Sequence, residues 1–221
     1  MFEGQARHYV LLVILLAAAA LLADQATLAG EWAGQPTLFW LAVAIAVPIL
    51  HQVYVWFFWR LELVHGWLSQ RLGRERGFVA YAAGFSVLFV SRLLSIVSLS
   101  VSNRHSYEIS PPIAAIISFL LLLPPLYLFY SVHKFFGLRR AFGIDHFDSS
   151  YAAVPFVRRG IFRFSSNAMY VFGFLILWIP AVLLGSRAGL LAAFFNHAYN
   201  WVHYYCTELP DIRRIYRGET A

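Results

Sequence analysis

The chain has 221 residues, of which 60% are hydrophobic and 13% are charged, and its formal net charge is +6. Soluble domains are typically about 45–50% apolar and about 25% charged. The composition therefore excludes a soluble globule of this size, and it also excludes intrinsic disorder, which requires low hydrophobicity. Cys206 is the only cysteine, which excludes a disulfide scaffold. These features predict an integral membrane protein.

Six apolar runs approach the roughly 20 residues that a membrane-spanning helix needs. In chain order they cover residues 9–29, 36–59, 77–101, 109–132, 168–184 and 188–206. Only Gly185-Ser186-Arg187 joins the last two runs, a joint that is short enough to require a tight helical hairpin. We therefore predict an all-α polytopic bundle of about six transmembrane helices. A cleaved signal peptide is the alternative for the first run, because Arg7 precedes an apolar stretch that ends in Ala-Asp-Gln-Ala.

Basic residues concentrate on one side of these runs. With the amino terminus placed inside, the inner segments contain all but three of the 17 lysines and arginines, namely Arg7, Arg60, Arg71, Arg74, Arg76, Lys134, Arg139, Arg140, Arg158, Arg159, Arg163, Arg213, Arg214 and Arg217. Arg104 and Arg187 lie outside, and Arg92 lies within the third run. The positive-inside rule then predicts that both termini are cytoplasmic, in a bacterial-type inner membrane or one like the endoplasmic reticulum. Basic residues spread over membrane-flanking loops are typical of contact with anionic lipid headgroups and do not indicate nucleic-acid binding.

The sixth run carries polar side chains at helical spacing. On a helix that advances about 100° per residue, two neighbouring stripes form. The first stripe contains Asn196, Asn200, His203 and Thr207, and the second contains His197, Trp201, Tyr204 and Glu208. Polar groups in a membrane helix usually face a protein interior or a wet cavity. The stripes therefore predict a polar pocket that ends in a carboxylate at the cytoplasmic boundary, and helix–helix hydrogen bonding is the alternative.

Other charged residues are candidates for binding or catalysis. Asp145, His146 and Asp148 lie in the predicted cytoplasmic loop, residues 133–167, where they could supply a base or bind an ammonium headgroup. They could equally be turn and cap residues, and further ligands at metal-binding spacing are absent. Arg92 is an intramembrane charge, which by default indicates a functional site such as one for a lipid phosphate, with structural pairing as the alternative. The sequence also lacks the usual soluble nucleotide-binding and zinc signatures.

Two short stretches resemble motifs of the integral-membrane methyltransferases, which include phospholipid N-methyltransferases and isoprenylcysteine carboxyl methyltransferases. Residues 160–173 read GIFRFSSNAMYVFG, and residues 207–218 read TELPDIRRIYRG. The Glu-x-Pro and Tyr-x-Gly elements of the second stretch, which ends at Gly218, look closer to the phospholipid branch. The first stretch departs from the family pattern, because Ser166, Asn167 and Ala168 stand where family members usually have Arg, His and Pro.

The resemblance implies S-adenosylmethionine as the methyl donor and a cytoplasmic cofactor pocket beside the hairpin. The residues expected to contact the donor, from the motifs and the polar stripes together, are Arg163, Asn167, Tyr170, Gly173, Asn200, His203 and Glu208. Glu208 is expected either to bind the donor or to act as the base that deprotonates an amine acceptor. We also expect catalytic roles for His146 and Asp145.

The leading acceptor is a phospholipid amine of the phosphatidylethanolamine type, for which we expect Arg92 and Asp148 to bind the substrate. We accordingly divide the chain into transmembrane helices 1–4, residues 1–132, and a donor-binding and catalytic region, residues 133–221. Three alternatives stay open: carboxyl methylation of an isoprenylcysteine-like or other lipophilic acceptor, an NADPH-dependent membrane reductase, and a non-enzymatic transporter or scaffold.

Overall fold

The computed structural model describes residues 1–217 and has the predicted all-α architecture. The helices are α1 (Gln5–Leu22), α2 (Gln25–Leu28), α3 (Thr37–His65), α4 (Trp67–Leu72), α5 (Arg74–Ser102), α6 (Pro111–Ser131), α7 (Leu138–Ala141), α8 (Ala168–Phe172), α9 (Ile179–Leu184), α10 (Arg187–His203) and α11 (Leu209–Arg217). Two π-helical turns, Val132–Phe136 and Tyr204–Glu208, continue α6 and α10. A short antiparallel pair, β1 (Glu31–Trp32) and β2 (Gln35–Pro36), precedes α3. Gly218 of the second motif lies outside the described residues.

Within the described residues, four helical segments are long and apolar enough to cross a membrane: α1, α3, α5 and α6 with its π-helical turn. Helices α3 and α5 contain 29 residues each. At about 1.5 Å per residue each spans roughly 43 Å, which exceeds the ~30 Å thickness of a bilayer hydrocarbon core. Their outward-facing side chains include exposed Leu38 and Val87, which suit contact with acyl chains. The chain is an integral membrane protein.

The first helix is shorter than its apolar run predicts. It ends at Leu22, and Asp24 then caps the short helix α2, because its carboxylate accepts hydrogen bonds from the Thr27 amide at 2.8 Å and the Thr27 hydroxyl at 2.7 Å. The start of α1 packs into the bundle, where His8 Nε2 lies 2.8 Å from the hydroxyl of Tyr199. The N-terminal helix is therefore in contact with α10 over the segment that the signal-peptide alternative concerns.

The last two apolar runs form the predicted hairpin. Gly185 ends α9 with a φ of +60°, a left-handed conformation that favours glycine. Ser186 then caps α10 by accepting a hydrogen bond from the Gly189 amide at 3.0 Å. At the same tip, the side chain of Asn103 accepts a hydrogen bond from the Ala188 amide at 2.9 Å, which ties the hairpin to the end of α5.

Helix α10 lies at the centre of the bundle and packs against α1, α3, α5 and α9. Its first turns carry small buried residues, namely Ala188, Gly189, Ala192 and Ala193. Small residues let membrane helices approach closely, and a Cβ on Gly189 would collide with the hydroxyl of Ser100 on α5. The second half of α10 instead carries the polar stripes, so the same central helix brings polar groups into the bundle interior.

The loop of residues 133–167 is ordered by short helical turns rather than by a long helix. They are α7 and the 3₁₀ turns Ile144–His146, Ser149–Ala153 and Gly160–Arg163. Gly143 has a φ of +81°, and a Cβ there would collide with the indole of Trp59 near the end of α3. Glycine at this position therefore allows the loop to pack directly on α3.

Candidate functional site

A buried charged cluster connects α3, the cytoplasmic loop and the last helix. Arg60 Nε lies 2.5 Å from Asp211 Oδ1, and both side chains are only 2% exposed. The other oxygen of Asp211, Oδ2, lies 3.5 Å from Nε2 of His146. His146 Nδ1 lies 3.1 Å from Oδ1 of Asp145. We call Arg60, Asp211, His146 and Asp145 the charged cluster.

Neighbouring side chains hold this cluster in place. The hydroxyl of Tyr216 on α11 donates to Asp145 Oδ2 at 2.9 Å. Arg140 donates to the Tyr216 hydroxyl at 3.3 Å and to the carbonyl of Pro155 at 3.1 Å. The imidazole of His146 stacks on the indole of Trp59, with ring centroids 4.1 Å apart and planes inclined by 15°. The cluster thus fastens both α11 and the loop to the C-terminal end of α3.

The electrostatics of the loop favour a protonated His146. Burial works against the charged form, but the contacts with Asp145 and Asp211 outweigh burial and raise the pKa of the His146 imidazole to about 9. Burial also works against ionised Asp145, yet the bonds from His146 and Tyr216 outweigh it and lower the pKa of that carboxyl. At neutral pH, His146 is therefore a cation whose Nδ1 hydrogen-bonds to Asp145 and whose Nε2 lies within ion-pair distance of Asp211.

A second group, which we call the Glu208 cluster, joins one carboxylate to three aromatic rings: Tyr170, Trp201, Tyr204 and Glu208. The hydroxyl of Tyr170, from α8, donates to Oε2 of Glu208. The Tyr170 ring lies 5.6 Å from Trp201 and 5.2 Å from Tyr204, measured between centroids. Tyr170 is buried, whereas Trp201, Tyr204 and Glu208 are half-buried. The cluster therefore combines a partly accessible carboxylate with the faces and edges of several rings.

The π-helical turn Tyr204–Glu208 shapes this cluster. A π-helical turn holds an extra residue, and such turns occur frequently at functional sites. The 100° advance that defines the polar stripes does not apply within it, so the approach of Tyr170 to Glu208 depends on the packing of α8 against α10. Sequence periodicity identifies Glu208 as a polar residue of this helix, whereas its contact with Tyr170 is set by tertiary packing.

The two predicted stripes of α10 differ in burial. Asn196, Asn200, His203 and Thr207 are all buried, whereas His197 and the other members of the second stripe are half-buried. The first stripe makes helix–helix contacts: Gln52 of α3 donates to Asn200 Oδ1 at 2.6 Å, and Gln5 of α1 donates to the Thr207 hydroxyl at 3.2 Å. His203 lies next to Trp59, with ring centroids 5.8 Å apart. The donor contacts predicted for Asn200 and His203 stay predictions, because these contacts favour a role in bundle assembly.

The first motif stretch lies at the start of the hairpin, ahead of and within α8. Arg163 is exposed, and its guanidinium lies 4.6 Å from the ring centroid of Phe164. Asn167 is half-buried, and its carbonyl accepts the first backbone hydrogen bonds of α8. At Gly173 a Cβ would lie 3.0 Å from Leu128 on α6, so this glycine permits close packing of the two segments. Among the candidate residues of this stretch, Tyr170 is the one whose side chain hydrogen-bonds to Glu208.

The two residues predicted to bind the substrate lie apart. Arg92 is 1% exposed inside the bundle and donates to the carbonyl of Pro48 at 3.3 Å. Asp148 caps the turn Ser149–Ala153 by accepting from the Ser150 amide at 3.0 Å, and it pairs with Arg74 at 3.2 Å. Asp148 is therefore engaged as a cap and a partly exposed ion pair, which matches the turn-and-cap alternative for this residue.

Sequence reasoning missed three important residues. In the sequence, Arg60 is one of many basic residues predicted on the inner side, and Asp211 is a residue of the second motif stretch to which no role was assigned. In the structure the two form a buried ion pair. Gln52 lies inside an apolar run and reaches Asn200. A polar residue within an apolar run is the one local signal that could have identified Gln52, whereas the partner of Arg60 has no local signal.

An open depression of about 410 Å³ lies at the other end of the hairpin. Its lining residues are His105, Tyr107, Glu108, Ile109 and Ser110. The backbone of His105 and Tyr107 bonds to Leu184 and Gly185 at the hairpin tip. The depression is thus separated from the Glu208 cluster by the length of α10.

Comparison with known proteins found a family that is similar to the C-terminal part of the chain. Residues 113–219 match a family model described as phospholipid methyltransferase. No curated protein and no solved structure matches the chain. The matched region contains Tyr170, Glu208 and Asp211, and at the family level it supports a membrane or phospholipid methyltransferase. The match of residues 113–219 is consistent with the integral-membrane methyltransferase superfamily.

Proposed function

We propose that the protein transfers a methyl group from S-adenosylmethionine to the amine of a membrane phospholipid of the phosphatidylethanolamine type. The observation that carries this proposal is the Glu208 cluster, which lies within the region that matches the phospholipid methyltransferase family. The cluster combines a carboxylate with aromatic rings at the end of the hairpin where the basic residues concentrate. By the positive-inside rule this end and both termini are cytoplasmic.

The chemistry of the Glu208 cluster fits a cationic donor. A sulfonium is attracted to aromatic faces, each worth roughly 0.5–2 kcal/mol. Tyr170, Trp201 and Tyr204 would supply these faces, and Glu208 would supply a negative charge for the donor or for the acceptor ammonium. Arg163 and Asn167 lie at the cytoplasmic start of the same hairpin, where a donor from the cytoplasm would enter.

Methyl transfer to an amine needs a free lone pair on nitrogen. A lipid ammonium is mostly protonated at neutral pH, so one proton must leave before the nitrogen–carbon bond forms. Glu208 is the group we assign to accept that proton, and the hydroxyl of Tyr170 orients its carboxylate. The donor supplies a methyl carbon on a sulfonium sulfur, which leaves as a neutral thioether when the carbon–sulfur bond breaks.

The charged cluster contributes to this site by holding α11 and the loop in position. His146 faces a carboxylate on each side, so its contacts favour a positioning role over the catalytic role predicted for it and for Asp145. Residues 1–132 then act mainly as the scaffold, and residues 133–221 hold the donor and the reacting groups. The acceptor arrives laterally from the bilayer, since its acyl chains remain in lipid.

Labelled donor and defined lipids test the proposal. Purified protein in maltoside micelles is incubated with methyl-labelled S-adenosylmethionine and phosphatidylethanolamine, and labelled lipid is identified after extraction. Glu208→Gln should lower kcat by about 10²–10⁴-fold, and Tyr170→Phe by about tenfold, the worth of one hydrogen bond to a charged group. Tyr127→Phe is the matched control, because Tyr127 is an exposed tyrosine of α6, and it should leave kcat unchanged.

The same preparation separates the alternatives. If the label appeared in a prenylcysteine carboxyl ester instead of a lipid amine, the acceptor would be a prenylcysteine carboxylate rather than a phospholipid amine. NADPH binding without donor binding would overturn methyl transfer in favour of a reductase. Full turnover in both Glu208→Gln and Tyr170→Phe would remove the Glu208 cluster from the site.

A further inference from the structure

Arg92 is a buried cation for which residues 1–217 supply no paired carboxylate. It lies in the middle part of α5, is 1% exposed, and among the described residues no carboxylate lies within ion-pairing distance. Its one hydrogen bond goes to the carbonyl of Pro48, and its Nε has no partner in the described part of the chain. A buried charge normally requires a counter-charge, because removal from water is costly.

Other polar atoms with unmet hydrogen-bonding capacity lie along the same face of α3. His51 follows Pro48 by three residues, so both lie on one helix face, and neither ring nitrogen of His51 has a partner within residues 1–217. Asn196 of α10 donates to the carbonyl of Ala44, one turn before Pro48, while its Oδ1 is also unpartnered there. Buried polar groups are nearly always satisfied, and so a group of exceptions indicates bound water or a ligand.

The position of Arg92 relates it to the Glu208 cluster. Its guanidinium carbon lies 5.5 Å from the ring centroid of Phe174. Phe174 follows Tyr170 by four residues and lies in the 3₁₀ turn Gly173–Trp178 that continues α8, so the two are separated by about one turn, or ~6–8 Å along the axis. In an ethanolamine headgroup, a two-carbon linker joins the amine to the phosphate. An anion site about one turn deeper than Tyr170 is therefore separated from Tyr170 by a distance comparable to that between the amine and the phosphate of one ethanolamine headgroup.

We propose that Arg92, with His51 beside it, is an intramembrane site for an oxyanion of a reactant, namely the phosphodiester of the lipid acceptor. The inference rests on the proposed function for the identity of the ligand. Arginine matches this chemistry because its planar guanidinium can donate two parallel hydrogen bonds to phosphate oxygens. The carboxylate of the donor offers the same chemistry, so the two sources must be separated by experiment.

Binding measurements test the site without relying on turnover. The probes are dihexanoyl phosphatidylethanolamine, the matched dihexanoylglycerol that lacks the phosphate, and S-adenosylhomocysteine, each titrated into protein in maltoside micelles. Wild-type protein should bind the phosphate-bearing lipid about 10- to 100-fold more tightly than the diacylglycerol, as expected for charge-assisted hydrogen bonds to a buried arginine. Arg92→Gln should abolish this preference, and Arg92→Lys should keep part of it.

Arg187→Gln is the matched control, since Arg187 is exposed near the hairpin tip and, within the described part of the chain, its side chain pairs with Asp24 alone; it should bind all three probes like wild type. The ratio of the two lipid affinities does not depend on how much of a variant folds. Loss of S-adenosylhomocysteine affinity in Arg92→Gln, with the lipid preference intact, would overturn the phosphodiester assignment in favour of the donor carboxylate. Unchanged affinities for all probes would overturn the site itself.

Methyl transfer in the wild type distinguishes failure of this inference from failure of the proposed function. If Arg92→Gln loses the phosphate preference while wild-type protein transfers no label to lipid, the anion site stands and the methyl-transfer proposal fails. If wild type methylates the lipid and Arg92→Gln does so with an unaltered KM, the methyl-transfer proposal stands and the anion site fails.

Discussion

Replacing Asp211 with asparagine removes a negative charge that faces two cations. Arg60 Nε lies 2.5 Å from one oxygen, and His146 Nε2 lies 3.5 Å from the other. Two unit charges about 4 Å apart interact by ~4 kcal/mol at an effective dielectric constant of about 20. Removing one partner of a buried pair also leaves the other charge uncompensated, which costs about 3–5 kcal/mol. We expect Asp211→Asn to lower the free energy of unfolding by about that amount.

The measurement is thermal unfolding in maltoside micelles at neutral pH, followed by near-ultraviolet circular dichroism of the Trp59 environment. The double variant Arg60→Met/Asp211→Leu should be destabilised much less than Asp211→Asn alone, because it leaves no orphaned arginine charge. Glu75→Gln is the matched control: it breaks the exposed pair with Arg139, in which both side chains are about half exposed or more, and its Tm should match wild type.

Two outcomes would refute this reasoning. An unchanged Tm for Asp211→Asn would mean that the pair contributes no net stability. Equal destabilisation of the double variant and the sum of its single variants would mean that the two residues are not coupled.

Further predictions follow from the loop and from the polar stripe. Because the folded-state pKa of His146 is raised from 6.5 to about 9, its contribution to stability is fully present below pH 6.5 and is lost as the pH rises through 9. Tm measured between these pH values should fall for wild type and stay flatter for His146→Gln, and parallel curves would contradict this. Gln52→Leu leaves the Asn200 oxygen without its donor and should cost about 1–2 kcal/mol. Adding Asn200→Leu should restore part of that loss in the same thermal assay, whereas a further additive loss would contradict the pairing.

The helical architecture follows from local sequence because the bilayer imposes a simple rule. A backbone in hydrocarbon must satisfy its own hydrogen bonds, so each long apolar run becomes a helix. This predicted α3, α5 and α6, and the short joint Gly185-Ser186-Arg187 predicted the hairpin. The first apolar run predicts a helix that continues to residue 29, but α1 ends at Leu22, because Asp24 caps the separate short helix α2.

The candidate site was predictable only in part. The polar residues of α10 were identifiable as exceptions within an apolar run, and the motif resemblance identified Tyr170 and Glu208. Their hydrogen bond was not predictable, because it depends on a π-helical turn and on how α8 packs against α10. The resemblance also could not decide which polar side chains assemble the bundle and which remain accessible.

The sequence by itself determined that this is a helical membrane protein, which side of it is basic, and which short stretches resemble a methyltransferase. Hydropathy and charge are properties of single residues and near neighbours, so they can be read along the chain. Only the tertiary structure decided that Arg60 is buried against Asp211, 151 positions later, and that Arg92 has no carboxylate beside it among residues 1–217. The cost or gain of burying a charge depends on which distant residue meets it, and that is set only when the helices pack.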